Sequence, residues 1–330
     1  MLESSGLINL INKHGIEIIK NQKRCGALIR DYCKGAPEKH LNLLILSLED
    51  KFANTIIETM NDGSFEFKES RILDNLKTNH GISIEGAKWI LKTWLKALIP
   101  NEIRIDLGGG GKIEMVLISA GKFNMGSPAS ENGRSSDETQ HAVTLTKSYY
   151  IGKYPVTQEQ WEGIMENNLS KTKGARLPVT DVSWEDCQTF IKKLNNKTNG
   201  GFRLPTEAEW EYACRAGTKT AYSVGDMMRP TDSNYSDSNI GKPVEVGSYL
   251  PNAFKIYEMH GNVFEWCEDW YGSYSQGSVT DPKGPVIGES RVVRGGSFYF
   301  NVSDVRSSYR FYLSPTDQNL IVGFRLLRTK

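Results

Sequence analysis

Five cysteines, two histidines of the second half, one acidic pair and one Gly-Gly-Ser segment are the residues whose chemistry could be catalytic. Cys25, Cys33, Cys187, Cys214 and Cys267 are odd in number and show no Cys-x-x-Cys spacing, which argues against a zinc ribbon or a disulfide framework. Scattered thiols of this kind fit a reducing compartment, and the expectation is a cytoplasmic protein. His141 and His260 have no metal-ligand spacing between them. Asp137 and Glu138 adjoin His141 without a nucleophile in view, so hydrogen-bonded anchoring is their expected role. Ser297 lacks the strand–turn–helix context of a hydrolase nucleophile. The glycine run at 108–111 is not followed by Gly-Lys-Ser/Thr, so it does not read as a phosphate loop. No catalytic set emerges.

The elements that carry these residues divide the 330-residue chain in two. Forty basic and 39 acidic residues leave a net charge of +1, and no basic field draws the protein to nucleic acid. No apolar run is long enough to span a bilayer, and the first residues lack the pattern of a secretory signal. Residues 1–100 read as a helical bundle, an effector, adaptor or assembly module. Its stripes are Ile84, Ala87, Leu91, Trp94, Leu95 and Leu98, with Ser83 as cap, and Leu41, Leu44, Ile45 and Leu48. Only glycines, Asn61-Asp62-Gly63 and Pro37 interrupt it. Residues 101–111 read as a Gly-rich linker. From Lys112 helical periodicity fades and Gly, Asn, Asp, Ser and Trp become dense. Strands are expected at 114–119, 141–145 and 291–294, and helices at 157–165, 184–194 and 206–214. The last of these opens with a Thr206…Glu209 capping box. The fold class is therefore α+β, preceded by a small all-α domain.

Motifs in order along residues 112–330 resemble the formylglycine-generating enzyme, or sulfatase-modifying factor, family. They include Gly121–Ser127, Pro178–Cys187, Phe202–Gly217, Gly261–Trp266, Arg294–Ser297 and Gly323–Arg325. The resemblance implies a C-type-lectin-like fold. The family's enzymes oxidise a substrate cysteine with two copper-binding cysteines, whose positions here are Phe300 and Val305. Neither side chain can ligate copper or form a mixed disulfide, so the resemblance implies the fold without copper or oxidase activity.

Residues 291–328 resemble the variable region of variable proteins diversified by retroelements. Arg294–Ser297, Arg306–Arg310, Pro315-Thr316 and Gly323–Leu326 match a fixed frame, and 298–305, 311–314 and 319–322 would be the diversified windows. Adenine-directed change of AAY codons never yields Lys, Glu, Gln, Met or Trp, and the sixteen window positions contain none of them. Those types make up about 22% of the chain, so chance alone gives about 2%. Three adjacent apolar residues in a strand cannot all face one core, which points to an exposed apolar patch. The resulting ligand-binding set is Phe298, Tyr299, Phe300, Asn301, Ser303, Asp304, Phe311, Tyr312, Leu313, Ser314, Asp317, Asn319, Leu320 and Ile321. Its tyrosines and phenylalanines suit a protein or other surface ligand. Arg294, Arg306, Arg310 and Arg325 are expected to brace the loops. A family enzyme using other chemistry and a purely structural subunit stay open as alternatives.

The segment Tyr257–Glu265 matches the family's calcium loop. The resemblance makes Glu258, Gly261, Val263 and Glu265 the ligands of a structural calcium, with Asn234, Tyr235 and Asp237 as a possible second site. Hard oxygen donors in a tight Gly-Asn turn suit that ion.

Overall fold

The computed structural model describes residues 2–14, 16–49, 52–61, 70, 73–78, 81–98, 101–108, 111–275 and 277–329. Asp62, Gly63, Gly109 and Gly110 of the expected breaks lie outside the described residues. Two compact units divide at Asn101/Glu102.

The first unit is helical: α1 (Leu2–His14), a 3-10 turn (Ile16–Lys20), α2 (Gln22–Tyr32), α3 (Glu38–Glu49), α4 (Phe52–Asn61), α5 (73–78) and α6 (Ile84–Leu98). Ser83 caps α6, its hydroxyl accepting from the Gly86 amide at 3.1 Å. Leu44, Leu48, Ala87, Ile90, Leu91 and Trp94 lie in one buried core. Ile84 is 36% exposed, and Ile82 and Ile90 take inner places beside the stripe. The Trp94 indole donates to Ser47 Oγ at 2.7 Å, so its one polar atom is satisfied inside the core.

Three sheets build the second unit. The first has the order β1 (Glu102–Asp106), β2 (Lys112–Ile118), β5 (Tyr149–Gly152), β12 (Leu327–Thr329), β6 (Phe202–Arg203). The second runs β10 (Arg310–Leu313), β9 (Arg291–Arg294), β7 (Phe264–Trp270), β11 (Val322–Phe324), and the third β3 (Gly121–Met125), β4 (His141–Leu145), β8 (Val279–Thr280). Residues 102–106 are thus an edge strand and not a linker. Glu102 faces Val116 and Asp106 faces Lys112 across an antiparallel ladder. At the turn of the hairpin, Leu107 N–H donates to Gly111 O at 2.9 Å and Gly108 N–H to Asp106 Oδ1 at 2.8 Å. The alternation Ile103-Arg-Ile-Asp106 carried that strand signal, and the glycine run beside it masked it.

Helices α7 (Gln158–Met165), α8 (Trp184–Lys197) and α9 (Glu207–Arg215) each begin with a closed capping box, at Thr157, Ser183 and Thr206. α9 buries Ala208, Trp210, Ala213 and Cys214 in a core shared with Ile151, Val292 and Leu327. The Thr206 hydroxyl accepts from the Glu209 amide at 3.2 Å. Thr206→Ala is expected to cost about 1 kcal/mol, read in urea denaturation, since it removes that cap without opening a cavity.

Candidate ligand-binding face

Four arginines fix the backbone on which the carboxy-terminal loops hang. Arg294, at the end of β9, is fully buried and pairs with Glu211 of α9 at 2.5 Å. Its guanidinium also donates to the carbonyls of Ser307, Ser308 and Tyr309 at 2.6–2.9 Å. Arg306 pairs with Glu131 and Glu138 at 2.6 and 2.7 Å and donates to Gly133 O. Arg310 pairs with Glu207 at 2.6 Å, and Arg325 with Glu265 at 2.7 Å. Burial opposes ionisation of Glu207, yet Arg310 and Arg294 hold its carboxyl below the usual range. Glu138 is likewise opposed by burial and held low by Arg306. Loops rich in irregular backbone have their carbonyls satisfied by these side chains.

Between the braces, the chain turns outward. Gly295 and Gly296 have φ of 94° and 74°, and a Cβ at Gly296 would come within 2.6 Å of Asp304 O. Phe298 then points inward, 3% exposed, with its amide donating to Asn262 O at 3.0 Å. It belongs to the support and not to the ligand-binding set, because this stretch is a turn and not a strand. Tyr299 is 75% exposed. Phe300 is half-buried, its carbonyl accepting from Ser236 N–H at 2.9 Å. Asn301 is exposed and caps the 3-10 turn Val302–Val305, where Ser303 and Asp304 are half-buried.

β10 is a sheet edge, with no further strand on its outer side among the described residues. Tyr312 is 48% exposed, while Phe311, Leu313 and Ser314 are half-buried. Asp317 is exposed and accepts from Ser314 N–H at 3.0 Å. The third window is stitched to fixed segments: Asp181 N–H donates to Asn319 O and Phe264 N–H to Ile321 O. Leu320 between them is 41% exposed, and Asn319 and Ile321 are half-buried.

The floor of the face comes from residues outside the three windows. Phe264 is fully buried, with its ring 4.8 Å from Phe300 edge-on and 5.5 Å from Phe311 in a stacked arrangement. Phe300 and Phe311 are 5.7 Å apart. Tyr271 lies 4.3 Å from Tyr312 and donates its hydroxyl to Asp137 at 2.7 Å. One aromatic layer therefore joins the first two windows. Its signal was the Phe of Gly-Asn-Val-Phe-Glu-Trp, an aromatic beside a loop of positive φ.

The proposed cation ligands are not equivalent. Glu258, Gly261 and Asn262 all have positive φ, and Glu258 is buried. One Glu258 oxygen accepts from Gly247 N–H at 2.8 Å, and the other has no hydrogen-bond partner. Burial pushes this carboxyl up to about 7. An orphaned, buried carboxylate oxygen fits a cation. Glu265 does not: both its oxygens accept from Arg325 and one also from the Trp210 indole, at 2.7–2.9 Å. Val263 is buried. The second trio also fails as a cage. The Asn234 amide is spent on Lys242 O, Asn262 and Ser238, Tyr235 is buried with its hydroxyl on Met228 O, and the Asp237 carboxylate is exposed.

Glu258 couples stability to pH. Its folded pKa lies above the ordinary 4.5, so its contribution is present below that value and lost as pH rises through about 7. Without calcium, stability should fall by up to about 3 kcal/mol over that window. Glu258→Gln should flatten the fall and calcium should reverse it, both read as Tm against pH.

The thiols are buried and unpaired. Burial raises Cys25 and Cys33 to about 11 and Cys214 to about 12, and drives Cys187 and Cys267 well above the ordinary range. Cys214 Sγ lies 3.8 Å from His260 Nε2, but burial lowers that imidazole to about 4. The pair is a neutral thiol beside a neutral ring. His260 Nδ1 donates to Val305 O at 2.7 Å, so it fixes a loop. Val305 is buried on Gly296 and Phe300 lies in the aromatic layer.

A family model, the sulfatase-modifying factor enzyme 1-like domain, matches residues 111–330. The chain belongs to that family. Among its relatives, the formylglycine-generating enzyme of Streptomyces coelicolor is 34% identical over 192 residues, covering 50% of this chain and 59% of the enzyme. Serine/threonine-protein kinase pkn1 of Chlamydia caviae is 32% identical over 243 residues, covering 64% of this chain. The chain spans only 37% of that kinase's length. Treponema denticola variable protein 1 superposes with a TM-score of 0.65 at 28% identity, covering 70% of this chain and 100% of that one. PvdO from Pseudomonas aeruginosa gives 0.62 at 28% identity, covering 69% and 98%. The second unit is thus the C-type-lectin-like fold of the sulfatase-modifying factor family, and among solved structures it resembles a variable protein.

Proposed function

We propose that this chain is a non-catalytic, retroelement-diversified variable protein that holds a protein ligand on its carboxy-terminal face. The observation carrying this reading is that three windows separated in sequence present Tyr299, Tyr312 and Leu320 outward, while the intervening arginines are buried and paired. Exposed aromatic and aliphatic side chains on a rigid floor bury much area at low entropic cost. Similarity to the Treponema denticola variable protein supports the same reading. Phe300 and Val305 at the family's cysteine positions, and thiols held protonated by burial, support a protein without copper or oxidase chemistry. Calcium enters the proposal through Glu258 alone. Buried unpaired thiols support a cytoplasmic setting, and among the described residues no helix is long and apolar enough to cross a membrane.

Sequencing the coding gene across a cell population tests the diversification. Adenine substitutions should concentrate in codons 299–304, 311–314 and 319–321. Substitutions spread evenly over the gene would overturn it.

A further inference from the structure

Carboxylates at the edge of the face stand without cationic partners, unlike those beneath it. Within the unit, Glu131, Glu138, Glu207, Glu211 and Glu265 are each neutralised by an arginine at 2.5–2.7 Å. Glu185, Asp186, Asp237, Asp304 and Asp317 have no ion-pair partner among the described residues. All five adjoin the windows. Glu185 N–H donates to Pro315 O, and Asp186 accepts from Gln318 at 2.8 Å. Asp237 follows Ser236, whose amide binds Phe300 O, while Asp304 and Asp317 stand in the loops themselves. Of the cations on that side, Lys242 is exposed beside Asn234 with no ion-pair partner among the described residues, and two others have contacts of their own. Lys171 faces Asp181 at 3.7 Å, and Arg134 Nε donates to Ser127 O at 3.3 Å.

We infer that the ligand is a basic protein surface, an apolar side-chain cluster flanked by lysine or arginine. This rests on the proposed binding function and narrows it. Unpaired carboxylates around an apolar centre attract cationic groups and repel acidic proteins and nucleic acid, mainly through the association rate. Glu185, Asp186 and Asp237 lie outside the windows, so variation in the windows leaves their charge in place. The frame then selects the charge class, and the windows select among its members.

A phage-displayed random peptide library panned on the whole protein tests this, with recovered peptides then synthesised. Lysine or arginine should flank an aromatic or aliphatic anchor at about twice its frequency in the unselected library or more. The association rate of such a peptide should fall about tenfold between roughly 20 and 300 mM NaCl. Glu185→Gln with Asp237→Asn should slow it about threefold at low salt, with Tm unchanged. Peptides with neutral or acidic flanks that lose binding to Tyr299→Ala would overturn the charge inference and leave the face standing. Peptides indifferent to Tyr299→Ala with Tyr312→Ala, or no retained peptides, would overturn both.

Discussion

Arg294→Met lowers the stability of the second unit by about 3–5 kcal/mol, a loss as large as that of a buried core aromatic. The guanidinium is wholly buried against the Glu211 carboxylate and binds three consecutive carbonyls, Ser307 to Tyr309. Methionine fills much of its volume but leaves a buried carboxylate uncompensated and three acceptors unpaired. Removing both charges, with Arg294→Met and Glu211→Met together, should recover part of the loss, because the uncompensated charge goes. Urea denaturation of both variants measures it. A loss below about 1 kcal/mol for the single variant would show that the arginine braces do not hold this frame. Since Arg294 fixes the backbone leading into β10, ligand binding should fall with it, although the residue is nowhere near solvent.

The second large effect lies on the other side of that backbone. Tyr299→Ala, Tyr312→Ala and Leu320→Ala should each weaken a bound peptide by about 10- to 100-fold while changing stability by no more than about 0.5 kcal/mol. These side chains are 75%, 48% and 41% exposed, so truncation opens no cavity. Phe264→Ala is the contrast. Its ring is fully buried beneath Phe300 and Phe311, and its loss should cost about 3–5 kcal/mol. Calorimetric Kd values set beside melting curves separate the two classes. Exposed-site variants that unfold the protein would place these residues in the core after all.

Much of this arrangement was legible in the residues. Thr206 and Glu209 announced α9 through the reciprocal bonds of a capping box, and β4 and β9 fall where alternating or β-branched runs placed them. Four arginines between apolar clusters had to be buried or paired, and they are both. What escaped depended on three-dimensional partners. Phe298 looks no different from Tyr299 in the sequence, and only the Gly295–Gly296 turn sends one inward and the other out. Glu265 reads as a calcium ligand until Arg325, sixty residues later, occupies both its oxygens. Phe264 is marked only by its place after the Gly-Asn turn and Tyr271 not at all, because they act by supporting Phe311 and Tyr312 from below.

Frame and face should be energetically separate if this is a display scaffold. A library randomised at 299–304, 311–314 and 319–321, sorted by protease resistance of the displayed whole protein, measures that separation. Most members should resist protease as the parent does, while a library randomised at 294–297 and 306–310 should collapse. Equal collapse of both libraries would contradict a variable binding face and make the three windows part of the fold's own core.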